Sequence, residues 1–293
     1  MVKLYNFELQ KLGITLVCTL LGLVLPASFL WVLAAVNVLI IGIIHGANDL
    51  YIISKYSKTT KKRQFGYLFV SYVFFVFVMV LALYNVPQLA LLLFVLVSSF
   101  HFGEQQWHKS SLVKSTKLHL FYVAYGAFLF SLLFYTHQNQ TISIIQEISG
   151  IQVAPSIFLL MLICTCVCVI FFGVLNIKQI KSQLFFQSLT LIAFLVLFTQ
   201  TSLLWSFSVY FVLWHSIPSL KEQADVLYPN DVSPLYKYFK MAFPYWILSL
   251  TGLAVASIFF RENTASLLAL FFGFLAAITI PHVGIIFWMH QKN

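Results

Sequence analysis

Charge is what this chain has least of. Charged residues make up 9% of its 293 positions, and only 8 of them are acidic. A soluble domain of that length covers its surface with roughly 25% charged residues, so an ordinary water-facing globule is excluded. Cysteine is equally sparse. The four are Cys18, Cys164, Cys166 and Cys168, and the last three alternate along an apolar run. Alternate positions on a helix diverge in direction, so they make a poor chelate. No HExxH segment is present, and neither are paired HxxxH and HxxHH boxes. The first absence argues against a membrane zinc protease, the second against the desaturase type of di-iron enzyme. No internal repeat is visible, and no cleavable signal peptide is expected.

What the chain has in abundance is apolar length. It is 61% hydrophobic with a mean hydropathy of +0.93, and Phe alone occurs 31 times. A span takes about 20 apolar residues. The pattern predicts an all-α, polytopic transmembrane bundle of about ten helices, at 12–26, 28–53, 66–85, 87–107, 117–136, 155–176, 183–200, 202–218, 239–260 and 264–290. One domain covers 1–293, with no room for a soluble domain between spans. The formal net charge of +9 does not point to nucleic acid, because the basic residues sit in short connectors. With both termini cytoplasmic, every one of the 17 basic residues except Arg261 falls on the inner side, as the positive-inside rule requires.

Ionisable groups inside a membrane are costly and call for a reason. Four histidines fall in apolar spans: His45 (IIHGANDLY), His101 (SSFHFGEQQW), His215 (YFVLWHSIPS) and His282 (ITIPHVGIIF). All four predicted helices run from outside to inside. Each histidine precedes the first inner lysine of its helix, Lys55, Lys109, Lys221 or Lys292, by 6–10 residues. At 1.5 Å per residue that places the four imidazoles in one layer, roughly 9–15 Å from the boundary. A single such histidine can simply bond a neighbouring helix; four at one depth point to a shared metal site. Asp49 and Glu104 follow His45 and His101 by four and three residues, a spacing that places each acid on its histidine's helical face. They are expected to orient the ligands or join them. An all-imidazole set without thiolates suits non-haem iron and oxygen chemistry, and zinc hydrolysis stays open on ligand type alone.

Aromatic residues flank the histidines: Phe100, Phe102, Trp107, Trp214, Phe287 and Trp288. They are candidates to line a groove for a long conjugated hydrocarbon, although membrane helices are rich in aromatics regardless. Gly42, Gly46, Gly103 and Gly284 would let backbones approach near the ligands. His108, His119, His137 and His290 read as interfacial.

Together the four histidine contexts resemble the Brp/Blh family of membrane carotenoid dioxygenases. HGANDL, SSFHFGEQQW, LWHSIP and the late PH of ITIPHVG carry the resemblance, which extends over nearly the whole chain in length, spans and motif order. It implies a multi-pass enzyme of the cytoplasmic membrane using Fe(2+) and O₂ to split β-carotene at its central double bond into two all-trans-retinal molecules. The implied iron ligands are His45, His101 and His215, with His282 as the fourth. Retinal would leave into the bilayer or pass to an opsin partner. Two positions depart from the family pattern: Ser219 stands where a second histidine often follows the WH pair, and Gln105 and Gln106 follow Glu104. A family member that binds carotenoid or retinal without cleaving it is one alternative, and a transporter of a small solute or metal is another. An opsin is excluded, since the last span holds no lysine for a Schiff base.

Overall fold

A computed structural model describes residues 2–57, 62–107, 115–259 and 267–292. Among the described residues there is no strand; every element is helical. In chain order they are α1 (Val2–Val24), α2 (Ala27–Asn37), α3 (Asp49–Tyr56), α4 (Lys62–Asn85), α5 (Pro87–Trp107), α6 (Thr116–Thr136) and α7 (Gln138–Ser149). There follow α8 (Pro155–Leu175), α9 (Ile177–Ile180), α10 (Leu184–Gln200), α11 (Leu203–Val209), α12 (Ile217–Leu227), α13 (Pro234–Phe259) and α14 (Leu267–Lys292). Wider π-helical turns occupy Val38–Gly42, after α2, and Tyr210–Ser216, between α11 and α12.

The chain punctuates these helices with local signals. Pro26 separates α1 from α2, and Pro87 and Pro155 sit at the first positions of α5 and α8, where a missing N–H costs nothing. Ser115 caps α6, its hydroxyl accepting the Leu118 N–H at 3.2 Å. Gly150, at φ 72°, follows α7 in the left-handed conformation that ends helices.

Eight of the described helical stretches are long and apolar enough to cross a membrane: 7–24, 63–85, 87–107, 116–136, 155–175, 203–227, 234–258 and 268–291. Two shorter apolar helices, 27–42 and 184–200, account for the other two predicted spans. The chain is thus a polytopic helical membrane protein. The span expected at 28–53 is broken: the helix ends beyond Gly42, turns at 45–48 and restarts at Asp49. The connector before α8 holds a helix, α7, that a polar stretch such as QNQTISIIQEIS does not advertise.

Two compact units make up the chain. The first comprises 1–42, 102–140 and 154–218. In it α6 lies along α8, α1 along α10 and α2 along α11, while the two π-helical turns pack on each other. Indole N–H groups tie it together: Trp205 donates to the Cys18 carbonyl and Trp214 to the Thr15 hydroxyl, both at 2.9 Å. The second comprises 43–101, 141–153 and 219–293. There α14 packs on α3, α4 and α13. Its core has two apolar clusters, one of Ile44, Leu220, Ala224, Tyr238 and Ala242, the other of Ile52, Ile285, Ile286 and Met289.

Candidate metal centre

Within the second unit, three of the four histidines come together. His45 stands in the non-helical turn 45–48, His101 near the C-terminal end of α5 and His282 in α14. The His282 ring meets the other two edge-on, with centroids 4.8 Å from His45 and 5.3 Å from His101. All three are buried, none more than 5% exposed.

Local sequence explains how each arrives. After the π-helical turn, the N–H groups of Gly46 and Ala47 bond back three residues to Ile43 and Ile44, a tightened winding that ends the helix. Gly46 also leaves space: a Cβ there would lie 3.3 Å from Nδ1 of His282. Pro281 precedes His282 inside α14 and removes one helical N–H just where the imidazole must turn inward. Among the described residues no other group comes within 4 Å of a Cβ at Gly284, so the expected close approach is not made by them.

Asp49 behaves differently from the helical-face expectation. It opens α3 instead of sharing a helix with His45, and its carboxylate faces His282 across the unit: Nδ1 of His282 lies 2.8 Å from Oδ1. The Tyr72 hydroxyl donates to Oδ2 at 3.0 Å. A carboxylate only accepts, so Nδ1 carries a proton, and in the neutral imidazole Nε2 presents its lone pair. That Nε2 is buried and has no hydrogen-bond partner among the described residues. A buried acceptor without a partner is costly. Backed by a carboxylate and beside two more imidazoles, it has the donor type and support that a metal ligand needs. The residues present therefore fit a nitrogen-ligated metal ion.

His215 belongs to the first unit. It sits in the π-helical turn 210–216, 2% exposed, with the rings of Phe102 and Phe211 at 4.3 and 5.5 Å. Turns of this kind recur at functional positions. Glu104 lies in the same unit and is buried. Phe102 stacks on Phe130 at 5.3 Å, Trp107 packs against Phe121 at 5.0 Å, and Trp214 against Phe194 at 5.1 Å. In the second unit Phe100 and Phe287 meet at 5.6 Å, and Trp288 faces Tyr56 at 5.7 Å. Of the histidines expected at the interface, His108 lies outside the described residues. His290 is buried instead, with Nε2 3.1 Å from a Glu222 carboxylate oxygen.

One known family matches most of the chain. The family described as β-carotene 15,15'-dioxygenase matches residues 36–290, a stretch that holds all four histidines. The chain belongs to that family. Its function is accordingly of the β-carotene dioxygenase type, and β-carotene is the substrate the family implies. No curated protein and no solved structure matches the chain.

Sequence reasoning did not find Tyr72, or the contacts of Tyr238 with the His45 turn. A lone tyrosine in a span resembles any interfacial aromatic, and its partner is fixed only by tertiary packing. Tyr72 follows Ser71 in α4, which also holds Tyr67 and Tyr84, and no local signal set it apart.

Proposed function

We propose that this protein is an iron(II)-dependent dioxygenase that cleaves β-carotene at its central double bond with O₂, giving two all-trans-retinal molecules. The observation that carries the reading is Nε2 of His282, buried and without a protein partner among the described residues, on a ring whose Nδ1 is engaged by Asp49. His45, His101 and His282 would hold the iron. His215 is the fourth ligand of the proposal, on the depth of its motif in the sequence. Bound there, the metal would supply the redox chemistry with O₂.

The chain's own residues have definable tasks. Asp49 keeps the proton on Nδ1 of His282, so that Nε2 is a donor at every turnover. Tyr72 holds the second oxygen of Asp49 and stops the carboxylate from rotating away. Burial of the three imidazoles excludes water, which strengthens each electrostatic contact. The paired rings of Phe100 and Phe287 offer an aromatic surface against which a polyene can lie, and positioning of that polyene selects the bond cut. The hydrocarbon would enter from the bilayer and retinal would return to it or pass to an opsin. The protein would sit in the cytoplasmic membrane with both termini inside.

Co-expression in a β-carotene-producing bacterium tests the reading, with retinal quantified by chromatography. Bleaching with retinal formed in about a 2:1 ratio to carotene lost is the expected result, and His101→Ala should abolish it. Unchanged carotene from well-expressed, iron-loaded protein would overturn it in favour of a carotenoid-binding role.

A further inference from the structure

We propose that Tyr238 is a positioning residue for His45, driven by a buried one-way chain of hydrogen bonds that begins at Ser219. The inference rests on the metal reading above and concerns how one of its ligands is held.

The turn carrying His45 cannot rely on a helical ladder. Its carbonyls need other partners, since an unpaired buried carbonyl is destabilising. Tyr238, in α13, supplies them from one side. Its hydroxyl lies 2.7 Å from the His45 carbonyl and 3.2 Å from that of Ile44. The Asn48 side-chain amide donates to the Tyr238 carbonyl at 3.0 Å. The tyrosine thus grips both ends of the four-residue turn. Tyr238 and Asn48 are both fully buried, and the apolar cluster of Ile44, Leu220, Ala224 and Ala242 surrounds the grip.

Proton counting gives the contact a direction. The Tyr238 hydroxyl also lies 2.9 Å from the Gln223 side-chain oxygen as placed, and the Gln223 nitrogen lies 2.9 Å from the Ser219 hydroxyl. One hydroxyl has one proton, and it cannot serve both the amide oxygen and the His45 carbonyl. Oxygen and nitrogen of an amide are interchangeable in shape, and with the amide turned the other way, its nitrogen toward Tyr238, the conflict over that proton is removed. In that orientation Ser219 would donate to the Gln223 oxygen and the Gln223 nitrogen to the Tyr238 oxygen, leaving the Tyr238 proton for His45. Ser219 and Gln223 are 1% and 0% exposed, so water does not compete for these bonds. Ser219, in place of the family's second histidine, is on this account the origin of the chain that fixes His45.

Two substitutions separate the roles. Tyr238→Phe removes one oxygen and leaves the ring. Gln223→Glu keeps the shape but removes the amide N–H groups, so the donor to the Tyr238 oxygen is lost and the Tyr238 proton is no longer committed to the His45 carbonyl. The readout is the imidazole ¹⁵N spectrum of the full chain in detergent micelles, histidine-labelled and metal-free. The His45 signal should shift or split in both variants, with His137 unchanged. A second titration with Co(II) alone should show about 10–100-fold weaker binding and an altered visible spectrum. A His45 signal unmoved in both variants overturns the proposal. If Tyr238→Phe fails to fold, the His45 signal of Gln223→Glu decides by itself. Wild-type protein that binds no cobalt overturns the metal reading, while the metal-free spectrum still decides what Tyr238 does.

Discussion

Asp49 and His282 meet across two helices, Oδ1 to Nδ1 at 2.8 Å, and the contact decides which imidazole nitrogen is available. Asp49→Asn replaces an acceptor-only group by one that also donates. The tautomer of His282 is then no longer imposed, and half the amide orientations face it with an N–H. The metal affinity of the purified protein is expected to fall about 10–100-fold, read by cobalt titration. Tyr72→Phe removes only the restraint on Oδ2 and should cost less than Asp49→Asn. An Asp49→Asn protein that loads metal like wild type would refute this assignment.

Gly46 tests the same imidazole from its other side. A methyl at this position would stand 3.3 Å from Nδ1 of His282, tighter than ordinary contact, so Gly46→Ala presses the ring by a few tenths of an ångström. Gly46→Val presses further. Retinal formation should decline in the order glycine, alanine, valine, with the thermal unfolding temperature in detergent changing little between the first two. Equal activity in all three would show that the ring has slack.

Gly103 is a packing position. A Cβ there would lie 1.9 Å from the Tyr122 carbonyl oxygen, and α5 is thus in backbone contact with α6. Gly103→Ala forces the helices apart, and overpacking of this kind costs about 1–3 kcal/mol. The expected outcome is a lower unfolding temperature, measured by tryptophan fluorescence in micelles. An unchanged temperature would mean that the helices separate freely.

How far the sequence foretold this arrangement differs by residue. The spans were legible because lipid demands long apolar runs, and α5 and α6 match their predicted limits almost to the residue. His45, His101 and His282 stood out because an imidazole in an apolar run needs a reason. Asp49 stood out too, but for the wrong geometric reason. Regular helical spacing pairs it with His45, yet the helix breaks at 45–48 and the carboxylate turns to His282. Periodicity assumes an unbroken helix, and a π-helical turn followed by a tightened one is invisible to it. Tyr238 was beyond reach, since its partner His45 is 193 positions away and only packing brings them together.

The number of crossings is also open to a direct test. Helices 27–42 and 184–200 are about 24–26 Å long, short of a core of about 30 Å, so length alone would leave eight crossings. Charge argues otherwise. Eight crossings with the N-terminus inside would place Lys55, Lys58, Lys109, Lys114, Lys178 and Lys181 outside, against the positive-inside rule. Ten crossings return all of them to the inner side, at the modest cost of local bilayer thinning around two short helices. Ser57→Cys and Asn85→Cys, introduced separately into a chain whose four cysteines are replaced, distinguish the two. With ten crossings, a membrane-impermeant maleimide applied to intact cells labels position 85 and spares 57. The opposite pattern would establish eight, and would remove the common depth from which the four histidines were first grouped.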